Sequence, residues 1–525
     1  MSSVYRFDLN ATPIAMYEWD DGAWAPETLS LNESLTLNGD GTVTLVKTHS
    51  TYNEIKTFAV TPSTDDAADV YYKTAESYTL PDGTPIASEP EDEDEGGDDQ
   101  GGEIGGIDDD FDDDGSDDDD IPGSDDSDVR HGGLGDDSVH GGLGDDDLNG
   151  DDGDDDLQGD DGNDSLVGGA GFDVLLGGVG DDDLDGGDDD DVLEGDDGND
   201  SLDGGDGNDE LYAGAGDDSV LGGAGDDLII GGSGAGNDKY IGGDGVDTVK
   251  YTSATAGITV NLSGGIAKSS GLDAGIGKDS LASIENVIGG DFNDVLIGSA
   301  GNNELDGGAG NDTVNGGNGN DLIIDTVASG NDKYIGGGGA DTVDYSSALA
   351  AITVNLLAGR AASTSADAGI GTDTLAGVEN VVGGAFDDSL TGSALANGLD
   401  GGDGNDTLAG GLGKDTLTGG LGADVFKFGK VVDAGLGAKH DVITDFSGFG
   451  GEGDLIDLSA IDAKVGVPGN DAFTLLAEAP TTANANGALW FINGVLYGST
   501  DNDVAAEFQI ELTGVTSLAA EDLVV

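Results

Sequence analysis

The chain has 525 residues, with 98 glycines, 110 acidic residues against 16 basic ones, no cysteine, and a formal net charge of -94 at pH 7. A negative charge of this size concentrates cations and repels polyanions, which argues against nucleic acid and anionic membranes as partners. The lack of cysteine excludes a disulfide framework and thiolate chemistry, so rigidity outside the cell would need another cross-link, such as metal.

Residues 1–88 are predicted to form a small all-β module of unknown function. Residues 35–45 have the pattern of a hairpin with its turn at the Asn-Gly-Asp-Gly run. Further strand-like segments lie at 4–9, 56–60, 70–73 and 77–80. Four aromatic residues either pack a small core or form a face that binds sugar or a protein partner: Trp19, Trp24, Tyr71 and Tyr72.

Residues 89–128 are predicted to be an acidic, disordered linker. Runs such as EDEDE and DDDD bring almost no apolar side chains, so this segment should extend by self-repulsion. The spacing of Asp110, Asp112 and Asp114 before Gly115 resembles the start of an EF-hand loop. However, the twelfth position is Ile121 rather than Glu and no flanking helices are predicted, so we do not expect an EF-hand.

Eleven nine-residue units follow one another without a break of register from residue 132 to residue 230. Each fits the pattern G-G-x-G-x-D-x-U-x with U aliphatic, as in GGLGDDSVH at 132–140. The glycines allow tight turns, and one apolar residue between polar ones predicts a short strand with one buried side chain. Because a unit cannot cover its own apolar side chain, the units must stack into a parallel β-solenoid. A disordered acidic chain is the alternative, and the regular register argues against it.

The sixth position is Asp in all eleven units, and the eighth is always aliphatic. Burying one aliphatic side chain gives roughly 1.5–3 kcal/mol, whereas ordering nine backbone residues costs about 9–18 kcal/mol. Stacking would also bring the aspartates into rows about 4.8 Å apart, where they repel one another. Ca²⁺ would resolve both problems, because it binds six to eight carboxylate and carbonyl oxygens. The predicted metal ligands of this block are Asp137, Asp146, Asp155, Asp164, Asp173, Asp182, Asp191, Asp200, Asp209, Asp218 and Asp227.

With these two columns, the units resemble the RTX nonapeptide of the hemolysin-type calcium-binding family. The resemblance implies a right-handed parallel β-roll with two units per coil, so that turns on one edge are about eighteen residues apart. It also implies multiple Ca²⁺ ions bound between successive turns. Some units depart from the pattern and put the local turn geometry in doubt, with Asp151, Asp160 and Asp196 at position two, Asp189 at position four and Ala213 at position one.

The main roll, 129–250, is followed by two related insertions, at 251–288 and 345–382. NDKYIGG at 237–243 recurs at 331–337, and ITVNL at 258–262 recurs at 352–356, so a large segment was duplicated. The insertions resemble the strand-rich excursions of RTX proteins. Two units have Asn303 and Asn397 at position six and are not predicted to bind ions. The remaining units, including the RTX blocks at 289–344 and 383–428, give further predicted metal ligands: Asp238, Asp247, Asp294, Asp312, Asp321, Asp332, Asp341, Asp388, Asp406, Asp415 and Asp424.

Residues 429–525 resemble the C-terminal domain of serralysin-type secreted proteins. The resemblance rests on GADVFKF at 422–428, DVITDF at 441–446, DLIDLSAID at 454–462 and the acidic-then-apolar ending EDLVV. It implies a type I secretion signal, type I secretion machinery as a partner, and release from a Gram-negative bacterium. The first residues lack the basic and apolar regions of a secretory signal peptide, and no apolar run reaches transmembrane length. Export would therefore depend on another signal.

No catalytic residues are predicted, because H-E-x-x-H and G-x-S-x-G are absent from the sequence. We predict an all-β, secreted, non-enzymatic protein, with a parallel β-roll, strand-rich insertions, a small N-terminal β module and a C-terminal β cap. The roll is expected to fold on extracellular Ca²⁺ and to serve in a matrix, a surface layer or adhesion, with cell-surface glycan or matrix as partner. The competing class is an extracellular enzyme acting on polysaccharide or protein through an unrecognised site.

Overall fold

A computed structural model describes residues 121–124, 127–231, 236–269, 275–326, 330–363, 370–464 and 470–525 in full, and before residue 121 only the backbone of the strands. The fully described residues form strands and turns, with no α-helix and three short 3-10 helices at Val431–Asp433, Gly437–Lys439 and Ala520–Asp522. None of the helices in this part of the chain has the length and apolar character of a membrane span. The chain divides into two compact units, Met1–Asp108 and Asp109–Val525.

The first unit contains one antiparallel sheet. The predicted hairpin is present, with Leu37 opposite Val43 where its two strands meet the turn. The side chains of Trp19, Trp24, Tyr71 and Tyr72 lie outside the described residues. The strands of this unit are Tyr5–Asp8, Ala15–Asp20, Ala23–Pro26, Glu33–Leu37, Val43–Thr48, Asn53–Thr61, Val70–Thr79 and Pro85–Ile86.

The second unit is a parallel β-solenoid, as predicted, in which successive units alternate between two facing sheets. Strands eighteen residues apart pair in parallel, as Leu157 does with Leu175 and Leu166 with Leu184. The first sheet contains Asp120–Ile121, Ser138–Leu143, Asp156–Asp161, Val174–Val179, Val192–Asp197, Glu210–Tyr212, Leu228–Ile230, Thr248–Lys250, Asn286–Gly290, Glu304–Gly308, Leu322–Ile324, Thr342–Asp344, Asn380–Val382, Gly398–Asp400, Thr416–Thr418 and Asp441–Ile443. The second contains Phe111–Asp112, Val129–Leu134, Asp147–Asp152, Ser165–Ala170, Asp183–Asp188, Ser201–Asp206, Ser219–Ala224, Lys239–Asp244, Lys278–Ala282, Val295–Ile297, Thr313–Asn318, Lys333–Gly338, Thr372–Ala376, Ser389–Thr391, Thr407–Ala409, Val425–Lys427, Leu455–Asp457 and Leu523–Val524.

The solenoid begins inside the segment 89–128 that the sequence predicts to be a linker. Phe111–Asp112 pairs with the strand at Arg130, and Asp120–Ile121 pairs with the strand at Val139. Ile121 also packs against the buried core, which gives this end of the acidic segment an apolar contact that its composition conceals. Apart from the backbone of these two strands, the EF-hand-like segment at 110–115 lies outside the described residues.

The core of the roll is a single column of aliphatic residues from each sheet. In the eleven uninterrupted units, every position-eight side chain is at most 1 % exposed, whereas the residues beside it on the strand, apart from the buried Val174, face outward or are half-buried. A strand with one inward residue between two outward ones explains why each unit needs its neighbours. Because the core is thin, contacts between the turns along the two edges must contribute much of the stability.

Each insertion adds a three-stranded excursion to the second sheet. In the first copy, Ile258–Asn261 and Ile266–Ser269 form a hairpin, and the second of these strands pairs antiparallel with Lys278–Ala282. The excursion then rejoins the roll, because Ile258–Asn261 pairs in parallel with Val295–Ile297. The second copy repeats this arrangement with Ile352–Asn355, Arg360–Ser363 and Thr372–Ala376. Four buried tyrosines thicken the core beside the insertions: Tyr240, Tyr251, Tyr334 and Tyr345.

The C-terminal region closes the solenoid with a small mixed sheet. Ala488–Ile492, Val495–Ser499 and Phe508–Leu512 form an antiparallel meander, and Thr474–Leu476 pairs in parallel with the first of these strands. The meander joins the roll where Phe508–Leu512 pairs with Asp441–Ile443. The last coil of the first sheet is therefore followed by apolar strands rather than by another acidic turn.

The four aspartates that replace turn glycines keep the regular turn. Asp151, Asp160, Asp189 and Asp196 all have φ between 66° and 81°, the left-handed conformation that glycine adopts easily. Aspartate tolerates this conformation better than most residues, because its short side chain can bond locally. These replacements therefore leave the turn geometry intact.

At Gly180, glycine at position four allows a close approach to the preceding coil. Gly180 has φ of 150°, and a Cβ there would lie 1.3 Å from the carbonyl oxygen of Gly162 in the preceding coil. We expect Gly180→Ala to lower the free energy of unfolding in Ca²⁺ by about 1–3 kcal/mol or more, because the backbone must shift. Gly301→Ala is the matched control, since its nearest contact would be Ser299 Oγ at 3.6 Å. Equal thermal stability of the two variants would contradict this stacking.

Candidate metal centre

The position-six residues form two rows, one along each edge of the roll. Within a row, the backbone N–H of one residue donates to a carboxylate oxygen of the next residue, as Asp155 N does to Asp173 Oδ1 at 2.8 Å. The first row runs through Asp137, Asp155, Asp173, Asp191, Asp209, Asp227 and Asp247. The second row runs through Asp146, Asp164, Asp182, Asp200, Asp218 and Asp238. The predicted eighteen-residue spacing of the turns is therefore present in the uninterrupted block.

These side chains are buried, although they belong to turns. In the eleven uninterrupted units each position-six Asp is at most 3 % exposed. The carbonyl groups take part as well, because Asp155 O accepts the N–H of Val174 at 2.8 Å, one coil further along. The backbone of each turn and one carboxylate oxygen of each aspartate are thus satisfied by hydrogen bonds between coils.

At most of these aspartates the second carboxylate oxygen is buried and has no hydrogen-bond donor. A buried polar atom without a partner is costly, about 1–3 kcal/mol and more when it is charged. A row of such atoms therefore needs protons or cations. The predicted ligands whose Oδ2 atom is in this state are Asp146, Asp155, Asp164, Asp173, Asp182, Asp191, Asp200, Asp209, Asp218, Asp227, Asp247, Asp321, Asp341, Asp406, Asp415 and Asp424.

At most of these positions, the space beside the Oδ2 atom is bordered by a second oxygen. A Cβ placed on Gly168 would lie 2.3 Å from Asp173 Oδ2 and 2.6 Å from the carbonyl oxygen of Gly186, in the next coil. A carboxylate oxygen and a carbonyl oxygen thus face the same small space, and neither is a donor. Oxygen atoms of these two kinds are the ligands that Ca²⁺ prefers. The residues fit a hard divalent cation, with glycine at position one keeping the space open.

Burial raises the pKa of several row carboxyls far above the ordinary value of 3.8. The pKa of Asp155 is raised to about 6, that of Asp173 to about 7 and that of Asp191 to about 8. Neighbouring aspartates add to the increase, and the backbone N–H on Oδ1 opposes it. Without a cation, a carboxyl such as that of Asp191 would keep its proton at neutral pH, so proton release would accompany cation binding there.

At four predicted positions both carboxylate oxygens already accept hydrogen bonds. Asp294 accepts from Gly290 N and Ile258 N, and Asp388 does the same in the second copy. Asp238 and Asp332 accept a backbone N–H on one oxygen and a tyrosine hydroxyl on the other. A cation is not needed to satisfy these four side chains.

The structure adds aspartates to the rows that the nine-residue register misses. Asp415 N donates to Asp441 Oδ1 at 2.8 Å, and Asp441 has a buried Oδ2 without a donor. Asp279, Asp373 and Asp454 also accept from the preceding row residue. Each of these four precedes an inward aliphatic residue by two positions, as Asp441 precedes Ile443. The D-x-U half of the repeat would have identified them without its glycines.

Asp325, Asp332 and Asp373 form a buried group next to the second insertion. One carboxylate oxygen from each lies within 4.8 Å of the others. The single hydroxyl proton of Tyr334 is shared between Asp325 at 3.0 Å and Asp332 at 3.3 Å. Tyr345 donates to Asp373 at 3.3 Å. Burial raises the pKa of Asp373 to about 7, which favours shared protons in this group.

Comparison with known families gives the same two regions as the geometry. The model of the RTX calcium-binding nonapeptide repeat matches residues 122–157, 158–193, 185–220, 194–229, 220–249 and 288–323. The peptidase M10 serralysin C-terminal model matches residues 333–525, so it includes the second insertion and the third block. This chain is an RTX repeat protein with a serralysin-type C-terminal domain. The RTX resemblance and the β-roll predicted from the sequence are confirmed.

RTX repeats are calcium-binding repeats, and RTX repeats with a serralysin-type C-terminal domain are typical of secreted proteins of Gram-negative bacteria. No curated protein matches this RTX chain. Among solved structures, it is similar to the extracellular lipase LipA from Serratia marcescens, at 19 % identity and a TM-score of 0.14. The match covers 44 % of this chain and 40 % of the lipase chain, so it spans less than half of either protein. A likeness of this size supports no statement about activity.

Proposed function

We propose that this RTX protein is released from the cell and that its roll folds when the aspartate rows bind extracellular Ca²⁺. The observation that supports this most strongly is the series of buried Oδ2 atoms that have no donor. Most of them face a carbonyl oxygen of the neighbouring coil, as Asp173 Oδ2 faces that of Gly186, so a cation is the partner that satisfies both. The proposed ligands are the predicted position-six aspartates with such an atom, together with Asp137 and Asp312 in the same rows.

The proposed mechanism couples export to folding. Where calcium is scarce, the like charges of the rows and the thin core keep the roll unfolded and able to pass through a secretion channel. Outside the cell, binding to the folded form alone shifts the equilibrium by mass action. Extracellular calcium modules typically bind with dissociation constants of about 10⁻⁴ to 10⁻³ M, and we expect this range here.

For the biological role, we propose a matrix, surface-layer or adhesion component. The C-terminal domain would engage type I secretion machinery, and the first unit would supply the recognition of a cell-surface glycan or matrix partner. The long calcium-stiffened roll would then act as a spacer. The net charge of -94 supports this use, because a soluble polyanion stays apart from nucleic acid and anionic lipid.

The test is a calcium titration of the full chain followed by far-UV circular dichroism. Asp173→Ala with Asp191→Ala removes two neighbouring ligands of the first row. We expect the midpoint of the β-sheet gain to move to roughly tenfold higher calcium or more, which corresponds to a loss of about 1.4 kcal/mol or more of binding free energy.

The matched control removes the same two charges from the outer face of the roll. Asp183 and Asp185 are exposed and lie in sequence between Asp182 of the second row and Asp191 of the first row. Their double replacement by Ala should leave the calcium midpoint almost unchanged. Equal midpoints for the two double variants would argue that row aspartates are not ligands.

A further inference from the structure

The first row contains residues other than aspartate at two places, 94 residues apart, where each insertion rejoins the roll. After Asp247, the carboxylate that accepts the next N–H belongs to Glu285, and position six of the following coil is Asn303. After Asp341 the same order recurs with Glu379 and Asn397. The row then returns to aspartate, because Asn303 N donates to Asp321 Oδ1 and Asn397 N donates to Asp415 Oδ1, both at 2.9 Å.

At each asparagine the side-chain amide supplies a hydrogen-bond donor that an aspartate carboxylate lacks. Asn303 Nδ2 donates to the carbonyl oxygen of Glu285 at 2.6 Å, and Asn397 Nδ2 donates to the carbonyl oxygen of Glu379 at 2.8 Å. The other amide atom is also satisfied, because Asn303 Oδ1 accepts from Ser299 N and Asn397 Oδ1 accepts from Ser393 N. These turns, 298–303 and 392–397, are called the amide-closed turns below.

The backbone of the amide-closed turns has also changed. In turns of the uninterrupted block with glycine at position four, an added Cβ would strike the preceding coil, at 1.6 Å for Gly153 and 1.3 Å for Gly180. At Gly301 the nearest atom would be Ser299 Oγ at 3.6 Å, and the second copy places Leu395 at this position. The close approach of position four to the preceding coil is therefore absent, independently of the asparagine side chain.

We propose that the amide-closed turns hold no metal ion against the turns of Glu285 and Glu379, so that the calcium row of this edge is divided into three separate segments. This inference rests on the proposed calcium function and specifies where that function stops. The segments are 137–247, 321–341 and 415–441. A neutral amide makes the contact between coils that a cation would otherwise make, which keeps the roll continuous past each insertion.

The test counts the calcium ions bound to the full chain by native mass spectrometry at saturating calcium. Asn303→Ala with Asn397→Ala should bind as many ions as the wild type and melt at a lower temperature, because two contacts between coils are lost. Asp209→Ala with Asp227→Ala, in the uninterrupted first row, should bind fewer ions than the wild type. A loss of one or more ions on removal of the two asparagines would overturn the inference.

A second measurement does not depend on the variants folding. In crystals of the wild type grown with Ca²⁺, anomalous scattering should give peaks between regular turns of the first row. No peak should lie between Glu285 and Asn303 or between Glu379 and Asn397. A peak at either place contradicts the inference, whereas a wild type that binds no calcium at all would contradict the proposed function instead.

Discussion

On removal of calcium at pH 8, the far-UV circular dichroism of the full chain should lose most of its β-sheet signal, and millimolar Ca²⁺ should restore it cooperatively. In the uninterrupted block each coil buries one carboxylate per turn, and the Oδ2 atoms of row residues such as Asp173 and Asp191 have no donor in the protein. The aliphatic column is only one residue per unit and gives roughly 1.5–3 kcal/mol for each. Without cations, this contribution cannot offset backbone entropy and repulsion between neighbouring carboxylates.

The control for this loss is Mg²⁺ at the same concentration. Mg²⁺ prefers a smaller octahedral site and gives up its water reluctantly, so it should restore much less of the signal. Full recovery with Mg²⁺ would indicate general screening of the charge of -94 rather than specific sites. Retention of the signal after exhaustive chelation would argue that the rows are stable unaided.

Acid should replace calcium in part. Burial raises the pKa of row carboxyls from 3.8 to values of about 6 to 8, as at Asp209, Asp200 and Asp191. A folded-state pKa above the unfolded one favours the folded form at low pH, and this contribution is lost as pH rises through the folded value. Calcium-free protein should therefore hold more β-sheet at pH 5 than at pH 8, with the loss centred between about pH 6 and 8.

The measurement is circular dichroism of chelator-dialysed protein across that range. Asp173→Asn with Asp191→Asn should keep more of the calcium-free signal at pH 8, because the amides do not ionise. In saturating Ca²⁺ the wild-type signal should be nearly constant across the same range. A calcium-free signal that does not vary with pH would contradict the burial of these groups as acids.

The repeats could be predicted because two columns of the sequence stay in phase. Asp at position six and an aliphatic residue at position eight determine the strand, the turn and the stacking distance, so Asp173 and Leu175 were placed from spacing alone. The assignment of alternate turns to the two edges of the roll followed from the RTX resemblance, and the hydrogen bonds between row aspartates agree with it. The duplicated insertions were predicted for the same reason, since whole motifs recur.

The rest could not be predicted because it depends on contacts between residues far apart in sequence. Asp279 has the D-x-U spacing, but it joins the second row 41 residues after Asp238, and no local spacing indicates that distance. Glu285 could not be predicted as a row residue for the same reason, because an insertion separates it from Asp247. The sequence also gave no sign that Ile121 reaches the core from an acidic segment.

Hydrogen exchange at the row amides tests the central claim most directly, namely that the buried carboxylate rows need cations to form. The amides to follow are those donated to the next carboxylate, from Asp155 N to Asp209 N in the first row. In saturating Ca²⁺ at pH 7.5 they should be strongly protected, and in EGTA they should exchange orders of magnitude faster. Equal protection in both conditions, with an unchanged melting temperature, would contradict the account.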